Sequence, residues 1–451
     1  MLDCGLFQGP RELRELNWKP LPIAMSDVHN IVLTHAHLDH TGYLPKLVKQ
    51  GFAGQIYCNA STHEVASFIL RDSAKIQEED AEDANKHHYS RHSPALPLYN
   101  SDDVEQTLGL FRVIGRDREK KLPDDISFRY YNAGHILGSN FVRVRKHLED
   151  DREVSVLFSG DLGRDKPIYL NPKVAPPAAD FLVCESTYGD RVHHAIDPMT
   201  EFLEVVRRVI HEKAVLLIPA FAVDRAQEII YCLNAFMRDG EIPEIRTFVD
   251  SPMATGVTAI YEKYCDEHTM TEDEMNEPDQ NPLSFPSLSF VRTHGESKAL
   301  NYLQGPAIII SASGMASGGR VMHHLRNRLP DPRTIVLFTG FQAEGTLGRD
   351  LIEGADGVSI HGVRVPVKAK VEKLNSFSGH ADQNELLEWM RQMPSPPKRV
   401  FLTHGEQTAR VAFKAKIEAE LGWDVHLPRI GETIDLIALS EQLASKYSES
   451  V

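Results

Sequence analysis

The sequence predicts an α/β chain: a sandwich of two mixed sheets with outer helices, interrupted by a second α/β unit with a largely parallel sheet. Three observations lead there. Short apolar runs end in polar groups, as where H-N-I-V-L-T at 29–34 runs into His35, His37, Asp39 and His40, and later at Gly134-His135, Gly160-Asp161 and Glu185-Ser186. From about residue 197 the pattern turns to regular βα alternation. From about 368 two further polar motifs follow, each ahead of a helix. Functional groups gathered at strand ends are the usual layout of an α/β active site.

Taken in order, Met1-Leu2-Asp3-Cys4-Gly5 reads as the end of a buried strand entering a glycine turn, as though earlier strands were missing. Residues 29–34 form a short buried strand. Tyr43 to Lys49 opens a helix, and 54–58 is the next strand, with Ser61 and Thr62 placed to cap the helix after it. Residues 72–92, an acidic run followed by K-H-H-Y-S-R-H, read as a solvated helix or loop. Strands are expected at 126–132, 141–147, 153–159 and 181–184.

The second unit is expected to run helix 198–212, strand 214–219, helix 224–237, strand 245–249 and a helix near 255–265. An acidic run at 266–279 follows, and strands 306–311 and 334–338 close the unit. In the last block F-S-G-H-A-D (377–382) and L-T-H-G-E (402–406) precede helices 383–392 and 408–421. The tail 440–451 is polar and expected to fray. The expected division is therefore 1–196, 197–367 inserted, and 368–451 completing the first unit.

Composition narrows the function classes. The 451 residues suffice for two or three domains. A net charge of −15 excludes a general attraction to nucleic acid or anionic membrane, so a polyanionic substrate needs a local basic patch or bound cations. Five scattered cysteines, at 4, 58, 184, 232 and 265, form no CxxC pair and point to reduced thiols in a cytoplasmic protein. No apolar run reaches transmembrane length.

The cluster after the first strand carries the chemistry. His35 and His37 can converge on one ion, while Asp39 and His40 lie where a turn sends them to a second. Imidazole with carboxylate suits Zn²⁺, with Mn²⁺ or Fe as alternatives.

H-A-H-L-D-H resembles the HxHxDH signature of the metallo-β-lactamase fold. The later motifs resemble its β-CASP branch of RNA- and DNA-processing nucleases, most of all the bacterial and archaeal ribonucleases related to the cleavage and polyadenylation endonuclease. The resemblance implies an αββα metallo-β-lactamase sandwich with an inserted β-CASP α/β domain. It implies two zinc ions per chain, one held by His35, His37 and His135, the other by Asp39, His40 and His404, with Asp161 bridging. Asp3 would support the site from behind. Glu185 and His380 match two further β-CASP motifs and, with Asp39, would be the catalytic groups.

Those assignments agree with the chemistry of two adjacent cations, which acidify a shared water and stabilise charge on a phosphoryl group. The expected reaction is hydrolysis of single-stranded RNA by metal-bound hydroxide, with His380 as general acid kept protonated by Glu185. Endonuclease and 5′→3′ exonuclease modes both fit, and a homodimer is compatible. A small-molecule metallohydrolase of thioesterase or lactonase type would leave the insertion without a purpose. A non-catalytic RNA-binding scaffold would be expected to have lost ligands.

Phosphate contact is expected from I-S-A-S-G-M-A-S-G-G-R at 310–320, through Ser311, Ser313, Gly314, Ser317, Gly318 and Arg320, and from Ser378. Arg326 and Arg328 follow. The loops 339–349 and D-S-P-M-A at 250–254 are further candidates for the cleft. None has a Walker A ending, which argues against ATP.

Overall fold

Ile31 and Val32 show how the first layer is made. They are neighbours on β1 (Asn30–Val32), so their side chains leave opposite faces of the strand. Ile31 packs among helical residues including Leu44, Leu47, Val65 and Ile69. Val32 packs with Tyr57, Phe128, Tyr130 and Val142, the filling between two sheets. In this computed structural model the described residues are all but 10, 89, 91, 194, 195, 278, 279, 375, 450 and 451.

β1 pairs in parallel with β2 (Gln55–Cys58), and β2 with β3 (Phe111–Val113). Leu2 adds a single parallel bridge to Val32. The next strands are β4 (Glu119–Lys121), β5 (Ile126–Asn132), β6 (Asn140–His147), β7 (Glu153–Phe158) and β8 (Phe181–Cys184). The hydroxyl of Tyr130 on β5 donates to Tyr57 O on β2 at 2.9 Å, tying the two sheets together.

The inserted unit then contributes β9 (Val215–Pro219), β10 (Arg246–Asp250), β11 (Leu288–Phe290), β12 (Ala307–Ser311), β13 (Thr334–Phe338), the hairpin β14 (Gly357–Ile360) and β15 (Val363–Pro366), and β16 (Lys370–Lys373). Its main sheet, ordered β11-β10-β12-β9-β13-β16, is parallel throughout. β16 lies beyond residue 367 yet pairs with β13, so this sheet extends past the expected boundary.

β17 (Arg399–Leu402) and β18 (Val425–His426) return to the first unit and complete a mixed sheet ordered β18-β17-β8-β7-β6-β5-β4. Helices Gln383–Arg391 and Gln407–Leu421 cover its outer face through Trp389, Phe413 and Ile417. The architecture is the αββα sandwich with an inserted α/β domain.

Two local expectations are corrected, and the stretch expected as helix or loop after residue 72 is helix through His87. Asn59, not Ser61 or Thr62, caps the helix Ala60–His87: its side chain accepts from Thr62 N–H, and Ser61 and Thr62 lie inside the helix. That helix runs on through most of the acidic stretch after residue 72; Tyr89 and Arg91 of the basic run lie outside the described residues. The tail is helical over Leu436–Glu449, because Leu436, Leu439 and Leu443 pack on Val154, Val156, Phe181 and Phe401 of the large sheet.

The insert is clamped to the sandwich by buried polar contacts. Glu267, from the acidic run, accepts from Arg116 at 2.7 Å and from Ser61 at 2.9 Å. Arg116 also donates to Asn140 Oδ1 at 2.7 Å. The run's Pro278 and Asp279 lie outside the described residues. No helix among the described residues is long and apolar enough to cross a membrane. The five cysteines are free, and four are buried.

Candidate metal centre

The first cluster is divided by a change of local structure. His35 and His37 lie in the loop after β1, whereas Asp39 and His40 lie in the single turn Leu38–Thr41 that starts after His37. Backbone packing here is tight: a Cβ on Gly5 would meet Asp39 O at 1.7 Å. His135 enters from the loop between β5 and β6, Asp161 from the end of β7, and His404 from the end of β17. Gly160, just before Asp161, has φ +52°, and a Cβ there would press on the Thr34 side chain at 2.8 Å.

The structure brings these seven residues together. His35, His37, His135 and Asp161 form one group, and Asp39, His40 and His404 a second. In the first, His37 Nδ1 is 3.1 Å from His35 Nε2 and 3.3 Å from His135 Nε2. In the second, His404 Nε2 is 3.3 Å from both His40 Nε2 and Asp39 Oδ2. Asp161 faces both: Oδ2 is 3.5 Å from His35 and 3.7 Å from His135, while Oδ1 is 3.4 Å from His40 and 3.5 Å from His404.

Partners behind the rings fix their orientation. Asp3 accepts from His40 Nδ1 at 2.7 Å, from Thr34 N–H at 2.7 Å and from the Thr34 hydroxyl at 2.8 Å. His135 Nδ1 donates to Gly379 O at 2.7 Å. Both histidines are thereby left with Nε2 facing inward. Thr187, which the sequence reading missed, places its hydroxyl 3.1 Å from His404 Nδ1.

The donor set fits metal ions. Asp161 Oδ1 and His37 Nε2 are buried and have no hydrogen-bond partner. Burial drives His35 and His135 well below the usual imidazole pKa and His37 down to about 4, so these rings are neutral donors. Burial also opposes charge on His40 and His404, but Asp161, with Asp3 for His40 and Asp39 for His404, outweighs it. His40 is raised well above its usual value and His404 to about 9. Burial would raise Asp161, but His404, His40 and His35 hold it well below the carboxylate range. Nitrogen and carboxylate donors of this kind suit Zn²⁺. The nearby Cys4 thiol is pushed up to about 12 by burial and then Asp3, and so offers no thiolate.

His380 stands beside the first group, its ring centroid 4.4 Å from that of His135. Its Nδ1 is 3.2 Å from Glu185 Oε2. Burial works against charge on this ring, but Glu185 outweighs it and the pKa is raised. Glu185 is fully buried and accepts from Leu162 N–H at 2.5 Å. Ser378 folds back on the same loop, its hydroxyl accepting from His380 N–H at 3.1 Å.

The expected phosphate loops divide. Arg320 is committed elsewhere: it donates to Asp250 at 2.6 Å and to Val291 O at 3.2 Å. Asp250 also pairs with His324 and accepts from Ser297, so this is a structural knot, and D-S-P-M-A belongs to it. Ser311 is buried and donates to Asp250 O. Arg328 is buried against the carbonyls of Leu300 and Leu303. Arg320, Ser311 and Arg328 are thus engaged by partners within the insert. Ser313 and Ser317 lie on the exposed side, their hydroxyls 3.1 Å apart, and Gly318 has open space beside it. Gln342 donates to Gly314 O and so joins the two glycine-rich loops. Gly314 packs on Phe221, a partly exposed ring 6.4 Å from His37. Nothing in the spacing around A-F-A-V-D-R marked Phe221 as a cleft residue.

The N-terminal 1–135 match the family model described as metallo-beta-lactamase superfamily, 226–351 the Beta-Casp domain, and 364–428 a Zn-dependent metallo-hydrolase RNA specificity domain. The chain is 36% identical over 439 residues to Ribonuclease TTHA0252 of Thermus thermophilus, covering 96% of this chain and 94% of that protein. It is 29% identical to an RNase J-like protein of Methanocaldococcus jannaschii, covering 97% and 94%. It is 28% identical to Transcription termination factor FttA of Methanosarcina mazei, covering 97% and 68%.

Proposed function

The chain belongs to the β-CASP branch of the metallo-β-lactamase superfamily and is a metal-dependent hydrolase, and on that premise we propose that it is a zinc-dependent ribonuclease acting on single-stranded RNA. His35, His37 and His135 would hold one zinc and Asp39, His40 and His404 a second, with Asp161 placed between the two groups. The observation that carries this reading is the Asp161 carboxylate, which turns one oxygen to each histidine group. When bound, such a pair of ions acidifies water and stabilises the charge of a phosphoryl group in transfer.

The chain's own residues do the rest. Asp3 and Gly379 O hold the His40 and His135 rings in the ligating orientation. Glu185 holds His380 by Nδ1, leaving Nε2 to face the substrate. Water oxygen bonds to phosphorus and gives up one proton to solvent, the bond from phosphorus to the 3′-oxygen breaks, and His380 passes its proton to that oxygen and regains one from solvent. The products are a 5′-phosphate and a 3′-hydroxyl. General acid assistance of this kind is worth about 10²–10⁴ in rate. The inserted domain over the centre favours a thin single strand over a duplex. RNA as the substrate draws on the names of the relatives and of the matched RNA specificity domain.

The test is steady-state cleavage of 5′- and 3′-labelled single-stranded RNA by the wild type and His380→Ala, with metal content measured in both. Retained metal with a large loss of rate is expected. Undiminished cleavage by the variant would remove His380 from the reaction, and no cleavage by the zinc-loaded wild type would remove the ribonuclease reading.

A further inference from the structure

The loop that carries His380 leans on the insert. Ser376 is held from two sides: its carbonyl accepts from Arg164, and its hydroxyl donates to Glu201 of helix Pro198–Glu212. Next along the loop, the buried Phe377 ring lies 5.2 Å from the guanidinium carbon of Arg225, the first residue of helix Arg225–Arg238. Gly379 sits between this guanidinium and a metal ligand: a Cβ there would stand 3.4 Å from the His135 ring and 3.8 Å from Arg225 Nη2. Gly379 O is the acceptor for His135 Nδ1, and His380 follows directly.

Arg225 is buried, and its charge is met by the equally buried Glu228 on the same helix. A buried ion pair does little by itself to stabilise a fold, but a planar guanidinium laid against a ring fixes geometry. Strain accompanies its placement. Asp224, just before it, has φ +70° and ψ −61°, and Arg225 N–H donates to Val223 O at 2.9 Å. This is the rare form of γ-turn, uncommon for a residue with a Cβ. The buried Asp224 carboxylate holds the turn by accepting from Tyr261 of the insert at 3.1 Å and from Tyr169 of the sandwich at 3.0 Å. Strained backbone persists where surrounding contacts over-determine it, and it gathers at sites that need fixed geometry. Arg225, Glu228, the loop 376–379 and His135 border one cavity of about 10 Å³, room for about one water, so the loop has little freedom while the guanidinium is in place.

We propose that Arg225 is a positioning residue for His380: from the insert, it fixes the turn formed by Phe377 to Gly379 and so sets where the His380 ring stands between Glu185 and the substrate. This rests on the reading of His380 as the proton donor. Arg225 acts through the loop, not on the phosphate. The insert is thereby part of the alignment of the acid as well as a cover over the centre.

The experiment is a double-mutant cycle on the whole chain at saturating zinc, with wild type, Arg225→Met, His380→Ala and the double variant cutting labelled single-stranded RNA. Arg225→Met is expected to lower kcat by about 10²-fold, the scale of a misplacement of about 1 Å, and to leave KM within about twofold. In the His380→Ala background the same substitution should cost less than about twofold, because the group it aims is already gone. Arg225→Lys keeps the charge without the planar group and should lose less, with the same non-additivity. Losses that add across the two backgrounds, or a rise in KM alone, overturn the proposal. A second readout needs no cleavage. The His380 imidazole resonances, assigned in isotope-labelled protein by their loss in His380→Ala, should shift in Arg225→Met and, by less, in Arg225→Lys. Unmoved resonances overturn the positioning role. Where Arg225→Met does not fold, Arg225→Lys carries both readouts. If the zinc-loaded wild type cuts no RNA, the ribonuclease reading fails, and the resonances still decide whether Arg225 places His380.

Discussion

His380 Nδ1 lies 3.2 Å from a Glu185 carboxylate that is shut off from solvent. The facing carboxylate raises the pKa of His380 against the pull of burial, which is what the proposed proton donor requires. Glu185→Gln keeps the shape and removes the charge. The expected outcome is a fall in kcat of about 10²-fold, with the alkaline limb of the pH–rate profile moved to lower pH. An unchanged profile would show that Glu185 only supports the Leu162 backbone.

Protons and zinc compete for the second group. Without metal, His404 is raised to about 9 and His40 well above its usual value. Zinc loading at about pH 7 must therefore release protons, which calorimetry in buffers of different ionisation enthalpy will count. Folded pKa values above the unfolded value of about 6.5 contribute stability that is complete below that pH and lost as pH rises through about 9. His35, His37 and His135 are lowered and so add nothing in this window. The metal-free protein should thus lose thermal stability between about pH 7 and 9, and the zinc-loaded protein should not.

Asp3 orients His40 without reaching the metal side of the ring. Asp3→Asn should weaken zinc binding about 10–100-fold, measured by competition with a chromogenic chelator. Equal affinity in the variant would reduce Asp3 to its bonds with Thr34.

Arg116 and Glu267 join the sandwich to the insert. Removing one partner of a largely buried pair costs about 3 kcal/mol, so Glu267→Gln should lower the unfolding free energy read from urea titration by that amount. A shift confined to a few tenths of a kcal/mol would show that the apolar contacts hold the two units unaided.

What could be read from the sequence follows the distance over which each signal acts. His35, His37, Asp39 and His40 were visible because strand, loop and ligands are contiguous. His135, Asp161 and His404 stand out locally only as polar groups at strand ends, and the motif series is needed to place them as ligands. Arg320 reads as a phosphate contact because its basic segment is local, while its carboxylate partner Asp250 lies 70 residues upstream. Phe221 carries no signal in the sequence for the same reason: it acquires its meaning from the His37 loop, supplied by another part of the chain. The polar C-terminal tail hid a helix because its leucines are spaced for one face of the large sheet.

The 364 positions that separate His404 from His40 also have a meaning in time. Synthesis runs from the amino end, so the second ligand group stays open until the whole insert and the strand after it have left the ribosome. The emerging chain holds three histidines and a carboxylate for one ion but has no closed second site. Whatever chemistry needs both groups therefore waits until the chain as far as His404 has been made.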